Sequence, residues 1–188
     1  MSGGVLMATV VVLKLQTNVR VEAGLQAKDS VQGTITLLGR TFKVNADTEL
    51  RDRLASRNQP RVITLDALTP ADRIEVKAYK DAAGGLVAAR VERTEADALV
   101  VVKGPADAKL AITSLTLFGI DVVTGLGSRY RDASGALVDA ATFYAAVQVP
   151  PAAASTVHAR GIVAGLASNS VDATRAVSTI GELEIGEH

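Results

Sequence analysis

The chain is expected to be an all-β protein made of two tandem small β-barrels. Each barrel is OB-like, with five to six strands and a short helix or loop inserted before the fourth. Three features predict that class. Thr34 to Asp52 returns, eroded, at Ser114 to Asp132 with a constant shift of 80 residues, and a chain that matches itself at one offset reads as a duplicated unit. Apolar and polar residues alternate with period two through both copies, the pattern of half-buried strands. Hydrophobic residues make up 48% of the chain, with no Trp and only 3% aromatics, so Val, Ala, Leu and Thr must fill narrow β interiors.

In order, residues 1–16 read as the closing strand of a preceding unit, because Gly3 to Val10 echoes Gly84 to Val91. Residues 17–95 form the first repeat and 96–188 the second. Val19 to Ala23 and Leu99 to Lys103 are strand-like, each followed by a glycine, Gly24 or Gly104, suited to a bulge or bend. The best repeated segment is a hairpin. Ile35 and Leu37 alternate with threonines, Gly39-Arg40 interrupts, and Phe42 and Val44 continue, which predicts a type II′ turn pairing Leu37 with Phe42. The second copy predicts Leu117 opposite Val122 and Leu115 opposite Thr124, across Gly119-Ile120. After the shared Arg-Asp the copies diverge. The first has a polar loop, Leu54 to Pro60, and a short apolar run, Val62 to Leu65. The second has a helix starting at Asp139, closed by Pro150-Pro151. Each copy ends in another hairpin: Arg73 to Tyr79 with Leu86 to Val91, and Thr156 to Gly161 with Ser170 to Ala176. The inward face of that last strand is ambiguous, because Asp172 falls where Val87 sits.

Composition excludes more than it assigns. Lys plus Arg equals Asp plus Glu at 20 each, with no block of like charge, whereas a nucleic-acid binder needs a basic face and stacking aromatics. Cysteine is absent, which removes disulfides, thiolate metal sites and thiol nucleophiles together. Val5 to Leu13 is apolar but too short to span a bilayer as a helix.

Candidate sites are sparse. The two histidines are His158, placed mid-strand on the solvent side, and His188, the last residue; a catalytic triad would need Ser and Asp to converge on His158. Asn45, Asp47 and Asp52, or Asp132, Ser134 and Asp139, offer oxygen ligands, but their spacing fits no calcium loop with fixed positions and suits turn hydrogen bonds instead. The charged pairs Arg51-Asp52 and Arg131-Asp132 are the one dipeptide of that kind in both copies. As function they form a ligand-contacting rim. As structure the Asp organises a turn while the Arg stem covers apolar surface. Tyr130 stands where the first copy has Leu50 and is assigned to the core. The glycine pairs lack the setting of a phosphate loop.

The strand motifs carried by Thr34 to Val44, Thr48 to Leu50, Ala71 to Lys77 and Gly85 to Glu92 resemble bacterial domain-of-unknown-function family 5666. The second unit offers Ser114 to Thr124, Thr156 to Gly161 and Ala173 to Arg175, without the Gly-Asp before its fourth strand. The resemblance implies tandem β units in an exported or lipid-anchored protein, no assigned catalytic residue and a binding or structural role. The expectation is therefore a non-enzymatic, periplasmic, cell-envelope or secreted module. It needs no cofactor, metal or nucleic acid, and serves as spacer or as a protein- or carbohydrate-binding domain of a larger protein. The alternative is a barrel that binds single-stranded nucleic acid.

Overall fold

The computed structural model describes residues 17–56, 58–59, 61–163, 170–172 and 182–185. The expected opening strand at 1–16, the return strand beyond Asp172, and His188 lie outside the described residues. The chain is mostly β. The first half holds β1 (Val19–Gly24), β2 (Ala27–Asp29), β3 (Thr34–Leu37), β4 (Arg40–Lys43), β5 (Glu49–Asp52), β6 (Arg73–Lys80) and β7 (Leu86–Thr94). The second holds β8 (Val100–Leu110), β9 (Ser114–Leu117), β10 (Ile120–Val123), β11 (Arg129–Arg131), β12 (Leu137–Val138), β13 (Thr156–Val163), β14 (Ser170–Asp172) and β15 (Glu182–Ile185). A single 3-10 turn, Leu65–Ala67, precedes β6, and a short helix α1, Ala140–Ala146, precedes β13. Asp139 starts α1 as its N-cap, its carboxylate accepting from the Thr142 amide at 2.7 Å.

Where two tandem barrels were expected, the described strands form one large, curled, mixed sheet, a half-barrel in which two barrels are not clearly set apart. The strands join in a continuous hydrogen-bonded path, with parallel pairs β4–β7, β5–β7, β10–β14 and β11–β15 among antiparallel ones. The physical reason is the junction between halves. β1 and β8, the first strands of the two copies, pair antiparallel through Arg20↔Lys103, Val21↔Val102 and Glu22↔Val101. Their otherwise open backbone groups are satisfied by each other, and one apolar cluster runs through both halves.

The hairpins form where expected but with a register two residues away. Ile35 opposes Phe42 and Leu37 opposes Arg40; Leu115 opposes Val122 and Leu117 opposes Ile120. The loops are Leu38-Gly39 and Phe118-Gly119, with φ of 47° and 69° in the first and 38° and 83° in the second. Positive φ at both loop positions is a type I′ turn, whose twist matches that of the flanking strands. A large apolar residue there is strained by roughly 1 kcal/mol. Burying Leu38 and Phe118 in the core gains about 1.5–3 kcal/mol each, and that exceeds the strain. A slip of two leaves every side chain on its original face, so Ile35, Leu37, Phe42, Leu115, Leu117 and Val122 are all buried as expected.

The repeat offset is not constant in space. The pairs Ala27↔Thr36 and Ala108↔Thr116 make the first strands equivalent at a shift of 81, while the hairpins keep 80. The loop between these strands is one residue shorter in the second half, and β8 carries a bulge between Ala106 and Ala108. Gly104 is therefore not a bulge residue. The 81-residue shift equates Lys28 with Lys109, and both do the same work. Lys28 Nζ donates to the carbonyls of Leu65 and Asp66 at the 3-10 turn. Lys109 Nζ donates to those of Tyr144, at 2.6 Å, and Val147, at 2.7 Å, at the end of α1. A cation here satisfies carbonyls that the helix leaves open and favours the negative end of its dipole. Lys109→Met, which keeps the stem, is expected to cost about 1.5–3 kcal/mol, measured by urea unfolding.

Candidate functional site

The junction of β1 with β8 has local two-fold character. Val21 opposes Val102, its equivalent at the 81-residue shift, and the flanking pairs Arg20↔Lys103 and Glu22↔Val101 exchange under the same operation. On the outward face, alternation along each strand lines up two cross-strand rows. One runs Lys103, Arg20, Lys77, Arg90 and Glu49; the other runs Glu22, Glu75, Glu92 and Arg51. Like charges directly opposed cost stability, and the rows offset this by pairing with each other. Arg20 reaches Glu75 at 2.8 Å and Glu22 at 3.2 Å, Lys77 lies 3.4 Å from Glu75, and Arg53 lies 2.9 Å from Glu92. Glu75 is 2% exposed in the middle of this lattice, covered by the stems of its partners.

A groove of about 530 Å³ opens over the cationic end of the junction, lined by Thr17, Asn18, Arg20, Lys77, Lys103 and Thr156. Among the described residues no carboxylate pairs with Lys103. A second groove, about 320 Å³, is bounded by Arg51, Asp52, Arg61 and Glu92. Within it Arg51 pairs with Glu49 and Arg53 with Glu92, and that hydrogen bond raises the Arg53 guanidinium further.

The structure does not bring the four predicted rim residues together. Arg51 and Asp52 sit on β5 against β7, while Arg131 and Asp132 lie at β11, which pairs with β12 and β15. Arg51 donates from Nε to Glu49 at 2.6 Å. Asp52 is buried, accepting from the Leu54 amide at 2.9 Å and from Nε and Nη2 of Arg93. Asp132 accepts from the Ser134 hydroxyl at 2.6 Å and from the amides of Ser134 and Ala136, and Arg131 donates to the Gly135 carbonyl at 2.8 Å. The Ser134 hydroxyl, with those amides, holds the Asp132 carboxyl below its usual range. Tyr130 is in the core, its ring 5.2 Å from that of Phe143. His158 lies mid-strand on β13, opposite Lys103 and Glu184. Asn45 accepts the Asp47 amide in a turn, and no group of acidic and histidine ligands with metal-binding geometry occurs among the described residues.

Hydrogen bonding to Arg93 lowers the Asp52 pKa below its ordinary value. The unfolded chain binds that proton more readily, so the pair's stabilisation is complete above about pH 5 and is lost as pH falls through the lowered folded value. Asp52→Asn is expected to cost about 1.5–2 kcal/mol at neutral pH and to flatten the acid limb of stability against pH, read by thermal melts across pH 2–7.

The sequence matches the model of a domain of unknown function, DUF5666, over residues 20–92. Residues 20–92 are a DUF5666 domain. No curated protein and no solved structure matches the chain. The DUF5666 domain thus covers β1 to β7 up to Glu92, and supplies Arg20 and Lys77 to the larger groove. Lys103 and Thr156 come from the strands beyond it. Sequence reading missed this groove because its residues come from four separate segments. The available signal was the outward alternation of Arg20, Glu22, Glu75 and Lys77 on strands already identified.

Proposed function

We propose that this protein is a non-enzymatic module of a larger exported protein, serving as a spacer or as a binding domain for protein or carbohydrate. The observation that carries the reading is the groove across the β1–β8 junction. It presents charge and hydroxyl groups, and it stands on a floor braced from both halves. Such a surface binds by complementarity rather than by chemistry. The pairing order of each half supports a finer reading, in which each is a small OB-like barrel sharing a wall with the other. β6 joins β1 to β7, and β4 and β3 continue the first half to β2; β8, β9, β10, β14 and β13 form a ring of pairings in the second. An envelope or secreted setting rests on the resemblance of the strand motifs. No helix among the described residues is long and apolar enough to cross a membrane.

Five of the six aromatic residues are buried and Tyr79 is half-buried, which weighs against the single-stranded nucleic-acid alternative, since bases bind by stacking on exposed rings. Passage over a single-stranded DNA column at low salt is expected to leave the protein in the flow-through, and salt-sensitive retention would establish the alternative instead. Fractionation of cells producing the protein from its own gene is expected to recover it from envelope or medium. Recovery from the cytosol alone would overturn the exported setting.

A further inference from the structure

We infer that the groove across the β1–β8 junction binds an acidic oligosaccharide, a chain of sugars bearing carboxylate or sulfate groups. The inference deepens the binding-module reading above and rests on it. Its first support is charge. Lys103, Arg20 and Lys77 stand opposite one another on three adjacent strands, about 4.8 Å apart across the sheet, so they form a line of cations. Arg20 and Lys77 are shared with Glu75, but Lys103 is exposed and has no carboxylate partner among the described residues. An unshared ammonium beside two half-neutralised cations leaves the groove short of negative charge.

The local two-fold supplies an internal comparison. It relates Lys103 to Glu22, and the groove to a second concavity around Glu22, Arg73 and Thr94 to Asp97. There the charges close on themselves, because Glu22 pairs with both Arg20 and Arg73, and Asp97 lies 3.9 Å from Arg73. The same framework is thus saturated on one side of the junction and left cationic on the other. One contributor is the acid Glu22 in the first copy standing where the second has Lys103.

The class of anion follows from what else lines the groove. Thr17, Asn18 and Thr156 add uncharged donors and acceptors, which complement sugar hydroxyls. Among the described residues no aromatic ring lines it, so nucleobases gain no stacking there. The floor strands β6, β1, β8 and β13 are each paired on both sides, so an acidic peptide finds no open strand edge to extend.

Titration calorimetry of the full chain with a short galacturonate oligomer tests this. Binding that weakens as salt rises is expected. Lys103→Ala is expected to weaken it roughly tenfold or more without moving the melting temperature. Lys43→Ala, on a lysine that pairs with Asp81 and lies outside the groove, should leave affinity unchanged. Should Lys103→Ala fail to fold, Lys77→Gln replaces it with the same expected loss. Unaltered affinity in the lysine variants, or no binding of the oligomer, overturns the inference. Equal binding of a neutral oligosaccharide also overturns it but leaves the binding-module reading standing. Tighter binding of a single-stranded oligonucleotide of equal charge overturns both.

Discussion

Gly104→Ala is expected to destabilise the protein by about 2–3 kcal/mol, the cost of forcing atoms into a filled core. A Cβ at Gly104 would lie 2.5 and 2.6 Å from two carbons of the Phe118 ring, closer than carbon atoms can approach. Neither side can yield easily. Phe118 is 1% exposed and held in a two-residue turn whose Gly119 amide donates to Asp107 at 2.9 Å, and residue 104 lies in a strand paired to Val157. The first half furnishes the control. At the 81-residue shift Gly104 stands where the first half has Ala23, which already carries a Cβ, and a Cβ on the neighbouring Gly24 meets nothing within 4 Å, so Gly24→Ala is expected to shift stability by no more than about 0.5 kcal/mol. Phe118→Leu should rescue Gly104→Ala, and the double-mutant cycle by urea unfolding should show a coupling of more than about 1 kcal/mol. Additive effects would show that the ring is not what glycine accommodates.

Phe143→Ala is expected to cost about 3–5 kcal/mol, the loss for emptying a buried aromatic site. Phe143 is fully buried on α1 and packs against Tyr130 at 5.2 Å and Tyr144 at 5.5 Å between ring centroids. These three rings make the second half's counterpart to the smaller aliphatic packing of Leu50, Ile63 and Leu65 in the first. Burial raises the Tyr144 hydroxyl to about 12, and it hydrogen-bonds to Thr124 at 2.9 Å. Phe143→Leu should retain about half the loss, since it restores volume without the ring contacts. A near-ultraviolet circular dichroism signal that survives Phe143→Ala unchanged would show that the three rings do not order one another.

These two sites mark what could be read from residues alone. Asp139 as helix start and the β6–β7 hairpin around Asp81 to Gly85 followed from local chemistry, a capping carboxylate and a glycine turn, and Tyr130 as a core residue followed from its alignment with Leu50 in the first copy. Gly104 was visible as special, but as a bulge or bend. Its true constraint is a ring 14 residues away that arrives only when β8 and β9 pair. The hairpin register was displaced because a glycine-led turn looks cheapest locally, while the core rewards burying Leu38 and Phe118 at the turn itself. Lys28 and Lys109 went unnoticed because a fixed offset of 80 places Lys109 beside Asp29.

The amino-acid order alone determined the repeated β unit, the alternating faces and which side chains are interior, because period-two burial is a property of each strand by itself. Tertiary structure decided that the halves share one sheet, that the first strands meet about a local two-fold, and that Arg20, Lys77 and Lys103 line one groove. Those outcomes depend on hydrogen bonds between strands about 80 residues apart. No local periodicity encodes which open strand a given strand will join.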